Sequence, residues 1–235
     1  MARSTPATDA PARPGAERWV PQHADVAELA AAAQDCRGCE LYANATQAVF
    51  GAGAERARCV LVGEQPGDVE DHRGEPFVGP AGGLLRRALD EVGLDTDELY
   101  LTNAVKHFRF TERGKRRLHQ SPGPAHVTAC RPWLAAELHE VRPELIVALG
   151  AIAGRALLGT TFRVTKQRGR LLSPADRAEF GSPLPGTEDS YLLATVHPSA
   201  VLRAESREQA YREFCDDLQV AAAHLQDPSR ERGSG

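Results

Sequence analysis

Four short apolar runs decide most of what this chain can fold into. They lie in CVLVG (59–63), LYLTNAV (99–105), ELIVALG (144–150) and YLLATVHPS (191–199). Each is too short for a core helix, is rich in Val, Leu, Ile or Tyr, and stops at a glycine or a polar turn. A strand buried on both faces reads this way. Helical stretches separate them: GPAGGLLRRALDEVG (79–93) with a glycine stop, AHVTACRPWLAAELHEV (125–141) with Pro132 forcing a start or kink, and AIAGRALLG after the third run. ADVAELAAAAQD precedes the first run, and SREQAYREFCDDLQVAAAHL closes the pattern with Tyr211, Phe214, Leu218 and Ala221 on one face. RGRLL is readable as an edge strand. Strands alternating with helices predict an α/β fold, a mostly parallel sheet covered on both sides. Such sheets bind ligands beyond the carboxyl ends of their strands. The polar residues just past the runs, in GEQPGD, at Asn103 and in HPS, are therefore the site candidates.

The 235 residues suffice for one large domain, and no internal repeat divides them. Residues 1–22 read as a disordered Ala/Pro arm, 23–225 as a single domain, and 226–235 as a frayed tail. No apolar run approaches the ~20 residues that span a bilayer, and the N-terminus lacks a signal-peptide core. A cytoplasmic protein without a membrane partner is expected.

The net charge of −4 argues against a surface uniformly coated for nucleic acid. Charge is local, however. Six Lys/Arg face one Glu between Lys106 and His119, and four with no acid lie between Arg163 and Arg170. Two basic loops on an acidic protein fit local phosphate contact. The first contains GKRRLHQSP (114–122), where Lys115, Arg116 and Arg117 are followed by His119. Its Gly, Ser and Pro flanks predict a loop. An ordinary solvated basic loop is the plain alternative.

GEQPGDVEDHRGEPFVGPAGG (63–83) surrounds Glu64, Gln65, Asp68 and Phe77 with glycines and prolines. Glycines admit close approach of a ligand, and prolines stiffen the loop. Phe77 could offer a flat ring to a base or could be a core aromatic; Glu64 could be a loop acid that caps amides. Of five cysteines, Cys36 and Cys39 form C-x₂-C, a spacing that lets two thiolates meet one metal centre, and Cys130 is available as a third. Cys59 sits in a strand pattern and Cys215 in the last helix pattern, where inert thiols are expected.

In this order, GEQPG, PFVGPAG, YLTNAVKHF, CRPWL and TVHPS resemble the uracil-DNA glycosylase superfamily, and within it the iron–sulfur branch, family 4. Gln65 in GEQPG, His107 in VKHF and the KRRLH segment resemble the UdgX subgroup. The resemblance runs from about Cys36 to Leu218. It implies a three-layer α/β/α sandwich around a short, mostly parallel sheet. It implies excision of uracil from DNA, preferably single-stranded, by a monomer that then stays covalently joined to the abasic site through His119. In that picture Asn103 hydrogen-bonds the uracil edge, Phe77 stacks on the flipped base, and His197 sits near uracil O2. Gln65 and Asp68, with Gly63, belong to the uracil pocket. Glu64 is the candidate for orienting His119 and taking its proton, while Lys115, Arg116 and Arg117 grip phosphates. The family places a fourth cysteine where this chain has His107. A 4Fe–4S cluster held by Cys36, Cys39, His107 and Cys130 is expected, with a Cys₃His zinc site as the alternative and Cys59 as rival fourth ligand. A conventional glycosylase that releases its product, and a module that binds uracil or abasic DNA without cleavage, are the competing functions.

Overall fold

The computed structural model describes residues 13–227. Residues 1–12 and 228–235, within the expected arm and tail, lie outside the described residues. The described residues form a six-stranded sheet. Its central strands are β2 (Cys59–Gly63), β3 (Leu99–Asn103), β6 (Leu145–Leu149) and β8 (Tyr191–Thr195). With the edge strands β1 (Ala52–Gly53) and β7 (Leu171–Leu172), the order is β1-β3-β2-β6-β8-β7. The four central strands run parallel, and both edges are antiparallel. The chain winds from β2 to β3 on one side, then from β6 to β8 on the other. The direction of winding reverses between β2 and β6, where such sheets leave a crevice at their carboxyl ends.

Alternate strand residues feed opposite layers. Val60, Val62, Ile146 and Ala148 pack with Leu134 and Leu138 of α4 (Pro124–Val141) and with Ala153 and Ala156 of α5 (Ala151–Leu158). Leu61, Leu101, Val147 and Leu193 pack with Leu85 and Leu89 of α3 (Pro80–Glu91) and with Phe214 and Leu218 of α9 (Arg207–Leu225). The α/β/α sandwich is thus present. Pro132 neither starts nor ends a helix; it lies inside α4, which begins at Pro124. No helix among the described residues is long and apolar enough to cross a membrane.

Two expectations are corrected. Residues 13–22 are not an unstructured arm where they are described. Ala16 is buried, its N–H donates to Ala129 O at 2.8 Å, and Arg13 pairs with Glu40. This segment seals a third apolar cluster, which holds Cys36, Cys39, Cys130 and Trp133 beside α1 (Val26–Ala33). The segment 114–122 is not wholly a loop either. Phe110–Arg113 (β4) and Arg116–His119 (β5) pair as an antiparallel hairpin, turning at Gly114, whose φ is +61°.

Candidate active site

β2 and β3 end side by side, with Gly63 paired to Asn103. A Cβ on Gly63 would stand 2.3 Å from Asn103 Oδ1 and 2.6 Å from Phe77 Cζ, so only glycine admits both side chains there. Phe77 itself is buried, with φ +57°. Its carbonyl accepts from Arg86 Nη1 at 2.8 Å, and the glycine two residues on, Gly79, donates to Glu70 Oε1 at 2.7 Å. Phe77 is packed into the core and also faces a cavity. That cavity has a volume of about 620 Å³ and lies beyond the carboxyl ends of the strands. Glu64, Gln65, Asp68, Phe77, Asn103, His119 and His197 all line it. A second cavity of about 620 Å³ runs along α4 and α5 but is lined by no histidine or carboxylate.

His197 precedes α8 (Pro198–Arg203). Its Nδ1 accepts the Ser199 backbone N–H at 3.2 Å and lies 2.8 Å from Ser199 Oγ. Accepting at Nδ1 leaves the ring proton on Nε2. Burial, reinforced by His119 and Arg203, lowers its pKa to about 4, so the ring is neutral near pH 7. His197 and Phe77 are nearly parallel, 29° apart in plane and 6.4 Å between centroids.

The hairpin brings His119 to the same cavity. His119 Nε2 lies 3.6 Å from Glu64 Oε1, an otherwise buried oxygen with no hydrogen-bond partner among the described residues. Burial lowers the His119 pKa, Glu64 opposes that, and Arg203 adds to it. Strand alternation puts Arg117 on the same face as His119. Arg117 bonds Asp68 at 2.5 Å and the fully buried Asp71 at 2.7 Å, both on α2 (Asp68–Arg73), and its guanidinium lies 4.9 Å from the Phe110 ring. Gln65 clamps both roots of the hairpin. Its Nε2 donates to Arg109 O and Gln120 O, at 3.1 and 3.2 Å, and its Oε1 accepts from Arg109 N at 3.1 Å.

The expected phosphate grip is therefore divided. Arg117 is turned inward as the hairpin's anchor. Lys115 and Arg116, near the turn, have no ion-pair partner among the described residues. Gln65 and Asp68 do line the pocket, but their polar atoms hold the hairpin. The second basic segment is mostly engaged as well: Arg168 pairs with Asp217 and Glu213, Arg170 with Asp176, and Arg163 bonds the carbonyls of Thr160 and Phe162.

The sequence profile of the uracil-DNA glycosylase superfamily matches residues 50–219. The chain belongs to that superfamily. It is 34% identical to a type-4 uracil-DNA glycosylase of Thermotoga maritima over 191 residues, 81% of this chain and 89% of that protein. It is 33% identical to one from Archaeoglobus fulgidus over 186 residues, covering 76% and 84%. A third, from Pyrobaculum aerophilum, is 32% identical over 179 residues, covering 76% and 85%.

Within this glycosylase fold the sequence missed two acids that shape the site. Asp71 receives Arg117 and the Thr46 N–H, at 3.0 and 3.1 Å to its two oxygens. Its spacing from Asp68, three residues along one helix, was the available signal. Glu70 ties the Phe77 segment to the start of α2 through the N–H groups of Gly79 and Gly67. Arg203 lines the pocket too, five residues after Pro198 at the end of the same short helix, where the sequence gives no hint of it.

Cys36, Cys39, His107 and Cys130 are all buried. Cys36 Sγ accepts from Trp133 Nε1 at 3.2 Å and from Gly38 N at 3.4 Å, and Cys130 Sγ accepts from Lys106 N at 3.3 Å. Burial raises Cys130 to about 12. It lowers His107 to about 4, leaving a neutral imidazole next in sequence to the residue bonded to Cys130. Sulfurs that receive N–H bonds in a closed lobe suit thiolate ligands. Among the described residues no three His, Cys, Asp or Glu side chains converge as a single metal ion requires. Cys59 lies in β2, outside the apolar cluster that holds the other three thiols.

Proposed function

We propose that this chain excises uracil from DNA, single strands above all, and then captures the abasic sugar on His119, as in the UdgX subgroup. One observation carries the reading: the His119–Glu64 pair, 3.6 Å apart, borders the cavity that Asn103, Phe77 and His197 line. Uracil must leave the stack before its glycosidic bond can be reached, and a single strand lowers that cost. Phe77 receives the flipped ring. The Asn103 amide offers a donor and an acceptor in one plane, complementary to uracil O4 and N3–H, a pattern that cytosine reverses. His197, neutral and protonated at Nε2, donates to the charge that develops on uracil O2. The C1′–N1 bond breaks, its electron pair leaves with uracil, and an oxocarbenium-like sugar remains.

In a releasing enzyme, water adds to that sugar. Here an imidazole stands at the rim, held by the hairpin, Arg117 and Gln65. A positioned nucleophile reaches effective molarities of ~10⁵–10⁸ M, far above water. One ring nitrogen bonds C1′, and Glu64 takes the proton that the ring gives up. The product is a neutral N-alkyl imidazole, a poor leaving group. Lys115 and Arg116 supply the phosphate contacts. Cys36, Cys39, His107 and Cys130 would hold a 4Fe–4S cluster, whose chemistry is to tie α1, the segment after β3 and α4 into one lobe. The chain acts as a monomeric single domain in the cytoplasm.

The releasing alternative is favoured by the relatives, whose names carry glycosylase activity and nothing of an adduct. A boiled, detergent-treated sample with a labelled uracil strand separates the two. A band shifted by the protein's mass, absent without uracil and absent in His119→Ala, supports capture. Abasic product without a shifted band leaves a turnover enzyme. Neither product nor shift leaves only a binding module. Glu64→Gln should keep strand binding and slow the adduct; an unchanged adduct rate would remove Glu64 from its assigned role.

A further inference from the structure

Behind the pocket lies a buried ion pair that the proposed chemistry does not use. Lys106 is 1% exposed and Glu137 0%. Lys106 Nζ donates to Glu137 Oε2, to Thr102 Oγ1 at 2.8 Å and to the Asn103 carbonyl at 2.8 Å. Glu137 Oε1 accepts from Gly51 N at 2.9 Å, Tyr100 OH at 3.0 Å and Thr102 Oγ1 at 2.8 Å. Every proton of the ammonium and both carboxylate oxygens are engaged.

Such a pair is weak evidence for stability. Desolvation offsets much of the attraction, and packed apolar residues often serve as well. An apolar pair could not, however, donate to the carbonyl of Asn103. That carbonyl begins a turn whose next two N–H groups, Ala104 and Val105, bond Gly63 O and Glu64 O at 2.9 and 3.1 Å. The ammonium therefore fixes the peptide from which the Asn103 side chain projects, within a turn that is also stitched to the backbone of Glu64.

We infer that Lys106, held by Glu137, is a positioning residue that sets the Asn103 amide against the uracil edge and keeps it in register with Glu64. The role rests on the reading of Asn103 as the group that meets uracil. A displacement of about 1 Å at such a group lowers the rate roughly 10²-fold.

The test compares Lys106→Met with the double variant Lys106→Met/Glu137→Gln in the full chain, by melting temperature, single-turnover excision and strand affinity. Lys106→Met leaves a buried carboxylate uncompensated, so both melting temperature and excision fall. The double variant removes that charge and keeps an acceptor for Gly51 and Tyr100, so its melting temperature recovers. Its excision rate stays about 100-fold down, with strand affinity little changed, because the Asn103 carbonyl still lacks its donor. Excision that recovers together with stability would reduce the pair to a structural role and overturn the inference. A folded Lys106→Met at the wild-type rate would do the same. If Lys106→Met does not fold, the double variant decides alone. Wild-type protein run alongside separates the readings: no excision by it refutes the assigned reaction itself.

Discussion

Arg117→Met distinguishes an anchor from a phosphate grip. The side chain is 16% exposed and holds Asp71, which is 0% exposed, and Asp68, which is 53% exposed. The Asp71 bond is charge-assisted and ends on a buried carboxylate, worth about 1.5–3 kcal/mol. The Asp68 pair is open to solvent and screened, so it adds at most about 1 kcal/mol. Stacking over Phe110 adds about 0.5–1 kcal/mol, part of which Met retains. The docked hairpin thus loses about 2–4 kcal/mol relative to an undocked one, a factor of roughly 30 to 10³ in their ratio. Asn103, Phe77 and His197 do not lie on the hairpin. Excision should therefore persist while adduct formation slows by up to that factor. Salt dependence of strand binding provides the second readout. A side chain that contacts a phosphate contributes about one unit to the slope of log K against log salt. Arg116→Met should reduce the slope by about one, and Arg117→Met should leave it unchanged. A slope lowered equally by both, or an adduct rate unmoved by Arg117→Met, would refute the anchor.

Gly63→Ala should abolish excision in a protein that still folds, because its Cβ would stand 2.3 Å from Asn103 Oδ1; a single-turnover rate near wild type would contradict the close approach. The His197 pKa of about 4 lies below its ordinary value near 6.5, so the unfolded chain binds the extra proton between these values and stability falls as pH drops through that window. The loss by pH 4.5 is about 2–3 kcal/mol, measured as the difference in urea unfolding between wild type and His197→Gln. The cluster assignment predicts a brown protein that contains iron, with colour and iron both lost in Cys130→Ser; a colourless protein that contains zinc would refute it.

The sequence alone was enough for the four central strands and for one half of the pocket lining; the exposed edge strand Ala52–Gly53 carries no apolar run to announce it. CVLVG, YLTN, IVAL and LLAT bury both faces, so their apolar runs and abrupt polar ends are local properties. Residues at those ends, Glu64, Asn103 and His197, sit where any parallel sheet opens, and the family motifs give them roles. The resemblance also singled out His119. Composition could not say which of three adjacent cations faces inward. That depended on β5 pairing with β4, because alternation then sends Arg117 toward α2 and Arg116 away. It could not give Gln65 its partners either, since Arg109 and Gln120 are 44 and 55 residues distant. In the sequence Lys106 counted only as one of six cations in the first basic segment. Only the packing of α4 against β3 placed Glu137, 31 residues on, beside it. Strand and helix are written in the spacing of neighbours, whereas the partner of a buried charge is set by which distant element lies across from it.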